Sequence, residues 1–491
     1  MQSTLIEALN GPRTQNGALT LSTSNSSVVD FFFLLGALRG ASETEITTAF
    51  THALNEDINV ATKLLFYTRD RNGQGERRVF RILVNFLANS NVLHQLLVKN
   101  NIQNIPHYGR WDDLFALIDT PLENEALARY ADALRAGSSL AAKWAPREKS
   151  SNRKVALKLM KTLGYTPKQY RKLLSGLTDV VETNMCSNNW DEINYSQVPS
   201  LAMSNYRKAF EKHSKERWDE YVDMLVSGKT KVNASVLYPY QIVRAILDGN
   251  YAYETPDQRS TQANFLAKQW ESLPNYIAGN KENMLPVVDV SGSMTQGHSK
   301  TGPAPLDIAI SLGLYISERN KGIFHDTFMT FSDEPELVTL TSSDIVSRVM
   351  EMKRASWGMS TNLTETFRVL LNTAMSNHIA PDQMPTMLLI ISDMEFNAAT
   401  SSSGWASEET TNFNTIKMYY KAAGYNLPKI VFWNINGRSQ NIPVEQSTNN
   451  TSLVSGFSPV IMKHILASGS VTPYQLVMDV VNSDRYSQVV V

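Results

Sequence analysis

Hydrophobic positions in the first 280 residues recur at intervals of three and four. In the stretch 77–87, Val79, Phe80, Leu83, Val84, Phe86 and Leu87 fall in the 79/83/86/87 and 80/84/87 rows of one helix face. The stretch 61–67 has helical composition too, and Arg69-Asp-Arg-Asn-Gly-Gln-Gly-Glu76 breaks it, so the two predict an αα-hairpin. Shorter helices are predicted over 92–98, 111–118, 123–134, 153–162, 167–174, 206–226 and 240–248. Loops rich in Pro or Gly, such as Ile105-Pro-His-Tyr-Gly-Arg110, separate them. The apolar run 31–38, between Asp30 and Arg39, falls far short of the roughly 20 residues a membrane helix needs and reads as a core helix. Stacked short helices predict a HEAT-like α-helical repeat region, although no strict period is present.

Near Asn280 the pattern changes. Met284-Leu-Pro-Val-Val-Asp289, 324–331, Thr386-Met-Leu-Leu-Ile-Ile-Ser392 and Lys429-Ile-Val-Phe-Trp-Asn434 are short apolar runs that read as strands. Helical patterns at 306–317, 364–372 and 411–423 alternate with them. Alternating strands and helices predict a mostly parallel, doubly wound α/β sheet covered on both faces. The expected organisation is a helical region over 1–280, an α/β domain over 284–470, and a last helix within 471–491 packing back on it.

Composition adds little until it is divided. The 491 residues suit two to four domains, and 42% hydrophobic with 19% charged residues is ordinary for globular protein. Cys186 is the single cysteine, so no internal disulfide forms and a reducing, cytoplasmic setting is expected. Residues 1–21 lack the apolar core of a signal peptide. The net charge is -1, but residues 1–250 carry 30 basic and 25 acidic side chains and the remainder 16 and 22. Within 143–172, ten basic residues (Lys143, Arg147, Lys149, Arg153, Lys154, Lys158, Lys161, Lys168, Arg171 and Lys172) face one acid, Glu148. A local excess of this kind points to a polyanionic partner.

One constellation carries chemistry. Asp289-Val-Ser291-Gly-Ser293 directly follows the first strand, and Asp393 directly follows the strand 387–392. Thr361 lies in Gly358-Met-Ser-Thr-Asn362, ahead of the helix at 364. In parallel sheets, loops at the carboxyl ends of strands form the ligand site. Five oxygen donors from three loops, with no His or Cys, suit a hard cation: Mg²⁺, with Ca²⁺ or Mn²⁺ as alternatives. The competing reading is a polar turn capping a helix. A nucleophilic Ser291 or Ser293 lacks the Gly-x-Ser-x-Gly elbow. Asp-x-Ser-x-Ser, a later Thr before Asn, and Ser-Asp after an apolar strand resemble the metal-ion-dependent adhesion site of von Willebrand factor A domains over about 284–470. The resemblance implies metal ligands at Asp289, Ser291, Ser293, Thr361 and Asp393, with one position left for an acidic group from a partner protein.

The amino-terminal half carries further phrases: Arg69-Asp-Arg-Asn-Gly-Gln-Gly-Glu-Arg77, His107-Tyr-Gly-Arg-Trp-Asp-Asp-Leu114, Ala142-Lys-Trp-Ala-Pro-Arg147, and the stretch from Asn188-Asn-Trp-Asp to Ala202. With the α/β domain they resemble a plant and viral family that pairs a helical region with a carboxy-terminal A domain and is similar to the Ro autoantigen (TROVE) proteins. Ro proteins are rings of helical repeats closed by an A domain, and they bind small structured RNAs and single-stranded RNA ends. The resemblance implies RNA binding. The basic stretch 143–172 is the candidate surface, with Trp144, Tyr165 and Tyr170 as candidate stacking partners. Its alternative is a solvated helix face with the aromatics in the core. Arg69, Arg71, Arg77 and Arg78 admit two readings, phosphate contact or a hairpin turn with Gly73 and Gly75 at positive φ. The expected function is binding rather than catalysis: small or structured RNA on the helical part and an acidic protein at the metal site, with no membrane role. The rival is a protein-assembly module that uses the A domain without RNA.

Overall fold

A computed structural model describes residues 12–14, 16–18, 20–178, 180–249, 251, 259–289, 291–295, 303–331, 334–355, 361–396, 412–436, 441–467 and 472–491. The chain divides into two compact units. One is Met1–Ala37, Pro199–Lys208 and Trp218–Val480; the other is Leu38–Val198, Ala209–Arg217 and Val481–Val491. These units interleave along the sequence.

The first unit is built on a six-stranded sheet: β1 (Met284–Asp289), β2 (Thr327–Phe331), β3 (Leu337–Thr339), β4 (Met387–Ser392), β5 (Lys429–Asn434) and β6 (Thr451–Ser455). Their spatial order is β3-β2-β1-β4-β5-β6. Every pairing is parallel except β2 with β3, so the sheet is mixed only at one edge. Strands β1 and β4 are buried along their whole length, which explains their unbroken apolar sequences. Pro286 is tolerated inside this central strand because pairing with β2 begins only at Val287. The β3 and β6 strands have no counterpart in the sequence reading: three residues with exposed ends, and Thr-Ser-Leu-Val-Ser, give no apolar run.

Helices that precede the sheet in sequence belong to this unit because they cover its apolar faces. Phe31, Phe32 and Phe33 of the helix Ser27–Leu34 are fully buried. Their backbone carbonyls are tied to the sheet, Ser455 Oγ donating to Phe32 O at 2.9 Å and Asn434 Nδ2 to Phe33 O at 3.2 Å. The helix Thr261–Glu271 hydrogen-bonds Trp270 Nε1 to Glu318 on the long helix Pro305–Arg319. Arg259 reaches Asp344 at 3.2 Å, the residue that caps the helix Ile345–Arg354.

The second unit is helical: Glu43–Glu56, Ile58–Arg69, Arg77–Ala88, Val92–Asn100, Glu123–Arg135, Arg153–Leu163 and Pro167–Leu177 are its main helices. The expected hairpin is present between Ile58–Arg69 and Arg77–Ala88. In its turn Gly75 adopts φ +67°, as expected. Gly73 does not, and is required for space: a Cβ there would lie 2.3 Å from Tyr67 O. The stretch 206–226 is two helices, Ser200–His213 and Lys215–Val226, rather than one. The last segment also departs from a single terminal helix. After Pro473–Val481 it runs on as a short turn, and its end is gripped by the helical unit. Arg485 pairs with buried Asp70, Tyr486 Oη donates to Asp70 at 2.9 Å, and Asn101 Oδ1 accepts from Val490 N at 3.0 Å. Among the described residues no helix is long and apolar enough to cross a membrane.

Candidate metal centre and basic face

Strand order reverses between β1 and β4: β2 and β3 lie to one side, β5 and β6 to the other. At such a point the two flanking loops diverge and leave a crevice beyond the carboxyl ends of the strands. Asp289 ends β1, and Asp393 follows β4. Val288 pairs with Ile391, so the next residues, Asp289 and Ser392, face each other. Ser392 Oγ donates to Asp289 Oδ2 at 2.6 Å, and Ser291 N donates to Asp289 Oδ1 at 2.9 Å. The hydroxyls of Ser291 and Ser293 are 3.0 Å apart, on the turn that opens the short helix Gly292–Thr295. Asp289, Ser291 and Ser293 are thus brought together at the end of β1.

The second carboxylate goes beyond what a turn requires. Asp289 is fully buried and Asp393 nearly so. Burial, and then the Asp393 carboxylate beside it, push the Asp289 carboxyl from its ordinary 3.8 up to about 7. Two buried acids that oppose each other's ionisation are relieved either by a proton or by a cation, and the hydroxyls beside them are oxygen donors of the kind a hard ion takes. Met394, next to Asp393, holds φ at +64°, a backbone region side chains disfavour, and this re-aims the loop so that Glu395 N donates to Asp393 Oδ1 at 3.2 Å.

Thr361 is fully buried at the same edge and donates to Glu395 O at 2.5 Å, two residues from Asp393. Residues 358–360 of its motif lie outside the described residues. Several residues at this edge escaped the sequence reading. Asn16 Nδ2 donates to both Thr361 Oγ1 (3.2 Å) and Glu395 O (2.7 Å). Asn441 Nδ2 donates to the buried Glu395 carboxylate at 2.8 Å. Ser392 stood in the motif only as the neighbour of Asp393. Asn16 is 345 residues from Thr361, and no local pattern marks it.

In the helical unit the ten basic candidates divide. Lys154 and Lys158 both reach Asp119 (2.7 and 2.9 Å), and Lys158 also reaches Glu123 (2.5 Å). These lysines hold the Asp119 carboxyl below its ordinary range. Arg171 pairs with Glu148 at 2.6 Å, and Lys143 lies 3.7 Å from Glu182. Arg147 contacts Thr178 Oγ1 at 3.5 Å. Lys149, Arg153, Lys161, Lys168 and Lys172 are exposed and form no ion pair among the described residues. The stacking candidates divide too. Tyr170 is buried, donates to Pro146 O at 3.1 Å and has its hydroxyl pushed up to about 12 by burial, so it is a core residue. The half-buried Trp144 ring is covered by Arg110, 4.0 Å from its centroid, and Tyr165 is half-buried.

Two arginines of the amino-terminal cluster are held in internal contacts. Arg69 is buried against Asp113 at 2.6 Å, which joins the phrase at 69–77 to the phrase at 107–114, and Arg78 donates to Ala41 O at 2.8 Å.

The fold and this edge thus define a class: a doubly wound α/β unit with an oxygen-donor cluster at its switch point, in a chain that also has a helical unit. Residues 283–488 match one domain of unknown function (DUF7788) and residues 162–280 match another (DUF2828). An uncharacterized protein of Acanthamoeba polyphaga mimivirus is 29% identical over 525 residues, covering 95% of this chain and 86% of the viral protein. The crystal structure of the Deinococcus radiodurans RO (RSR) protein aligns with a TM-score of 0.46 at 10% identity, over 91% of this chain and 100% of that one. That structural likeness is too distant to assign a ligand.

Proposed function

We propose that this protein binds RNA and that its α/β unit is a von Willebrand factor A-type domain with a metal-ion-dependent adhesion site. The observation that carries the metal half is the buried pair Asp289 and Asp393 at the switch point of the sheet; the RNA half rests on the exposed basic residues of the stretch 143–172. Asp289, Ser291, Ser293, Thr361 and Asp393 would hold Mg²⁺, or Ca²⁺ or Mn²⁺ in its place. The ion would offset the two carboxylates and give an acidic group of a partner protein a seat on the domain. Three hydroxyls among the ligands, and no evident general base, favour binding over turnover. The helical unit, read as HEAT-like repeats, would contact RNA phosphates through the face bearing Lys149, Arg153, Lys161, Lys168 and Lys172, and a cytoplasmic setting fits the single cysteine.

Fluorescence anisotropy with a structured RNA, across salt concentrations, tests the RNA half. Affinity should fall steeply with salt and be lost when Lys149, Arg153 and Lys161 are changed together to Glu. Asp289→Ala should leave it intact. If RNA affinity disappears with Asp289, the two functions are not separable. A second reading, a protein-assembly module without RNA, is favoured by one observation: Lys154, Lys158 and Arg171 already have carboxylate partners within their own unit. Absence of any salt-dependent RNA affinity would establish that reading.

A further inference from the structure

The cation site of the proposed reading is built from sequence segments between 289 and 393, yet the structure ties another part of the chain to it. Thr14, Asn16, Thr20 and Leu21 lie at the carboxyl edge of the sheet and hydrogen-bond to the loops that follow β4 and β5. Thr14 Oγ1 donates to Phe396 O. Thr20 Oγ1 donates to Ile442 O at 2.9 Å, and Leu21 and Ile442 exchange backbone hydrogen bonds of 3.0 and 3.2 Å. Between these anchors, Asn16 Nδ2 meets Thr361 Oγ1 and Glu395 O.

We infer that this amino-terminal segment completes the cation site and that Asn16 is the residue that positions Thr361. The inference rests on the metal reading of Asp289 and Asp393. Its chemistry follows from donor and acceptor roles. Glu395 O is a carbonyl and can only accept, so the Asn16 atom facing it must be the amide nitrogen; the flipped amide would set two acceptors 2.7 Å apart. That nitrogen can only donate, so the Thr361 oxygen receives its hydrogen bond. The single Thr361 proton is then directed onto Glu395 O, where the 2.5 Å contact places it. Asn16 thereby fixes Thr361 as an acceptor, the role a metal ligand has to play, and prevents its hydroxyl from turning its proton toward the ion. The same contacts hold the Glu395 carbonyl, two residues beyond Asp393, so the segment also steadies the loop that carries the second carboxylate. Groups that orient ligands in this way commonly change metal affinity by about 10–100-fold.

The test is a Mn²⁺ titration, read by electron paramagnetic resonance, on the full-length chain. The variants are Asn16→Ala, Thr14→Val, Thr361→Val and the double variant Asn16→Ala/Thr361→Val. We expect Asn16→Ala to weaken Mn²⁺ binding by about 5–10-fold, within reach of one lost orienting hydrogen bond. Thr14→Val, which removes the anchor on Phe396 and the hydrogen bond from Ala18 N but leaves Asn16 in place, should cost less, about 2–3-fold. The double variant should lose clearly less than the sum of the two single losses, because Asn16 acts largely through that hydroxyl and only in part through the Glu395 carbonyl. Wild-type affinity in Asn16→Ala, or losses that add in full in the double variant, would overturn the inference while leaving the metal reading intact. Failure of the wild-type chain to take up Mn²⁺ would overturn both.

Discussion

Changing Asp289 to Asn has opposite consequences with and without a cation. In the metal-free protein the Asp289 carboxyl is raised from 3.8 to about 7, chiefly by burial and then by Asp393. A carboxyl raised on folding favours the folded state while protonated. Its contribution is therefore full at low pH and is lost as pH climbs from about 4 through about 7. By pH 8 the folded protein holds this carboxylate charged at a cost on the order of a few kcal/mol. Asparagine removes this penalty. Its carbonyl still accepts from Ser291 N, and its amide faces Ser392 Oγ, which has to turn and exchange a charge-assisted hydrogen bond for a neutral one. The net expectation at pH 8 in EDTA is a more stable α/β unit, by roughly 2–4 kcal/mol. Hydrogen exchange of the β1 and β4 peptides measures that unit alone; 2 kcal/mol corresponds to about 30-fold slower exchange. Saturating Mg²⁺ at about 100 times its dissociation constant should stabilise wild type by ~2.7 kcal/mol and leave the variant unchanged. Faster exchange of Asp289→Asn in EDTA would refute the reasoning, because the buried charge would then be stabilising without a cation. Equal protection of both proteins by Mg²⁺ would refute it as well.

Three further outcomes follow from the helical unit. Asp119→Asn should release Lys154, while Lys158 stays paired with Glu123, and raise RNA affinity by up to about 2–3-fold at low salt, with a steeper salt dependence in the anisotropy titration. Arg485→Ala leaves the buried Asp70 without its bidentate partner and should lower urea stability of that unit by about 2–4 kcal/mol. Gly73→Ala forces a methyl against Tyr67 O and its ring, and should cost at least about 2 kcal/mol in the same measurement, whereas Gly40→Ala meets nothing within 4 Å and should cost far less.

The core of the fold was legible where a residue's neighbours in sequence decide its role. Strands β1, β4 and β5 are buried on both faces, so their composition announces them, and the helix at 77–88 has a regular apolar face. The short antiparallel β3 and the Ser/Thr-containing β6 owe their pairing to neighbours brought in by the fold, which leaves no periodic signal. The interleaving of units was hidden for a similar reason. The triple phenylalanine at 31–33 declares a buried helix but not what buries it, and Asp70 declares an acid in a turn but not that Arg485 closes on it. At the candidate metal centre the ligands were legible because the motif places each directly after a strand or before a helix. The supporting residues Asn16 and Asn441 were not, since each is set by a contact across hundreds or tens of residues. For the basic stretch, the count of charges was informative but not their availability: Asp119 and Glu123, outside the stretch, occupy two of its lysines.

Direct measurement of cation binding to the full-length chain tests the central claim. Titration with Mn²⁺ should show one bound ion per chain, displaceable by Mg²⁺, with binding abolished in Asp289→Ala and in Asp393→Ala. No Mn²⁺ uptake by the wild-type protein, or uptake unchanged by both substitutions, would contradict it.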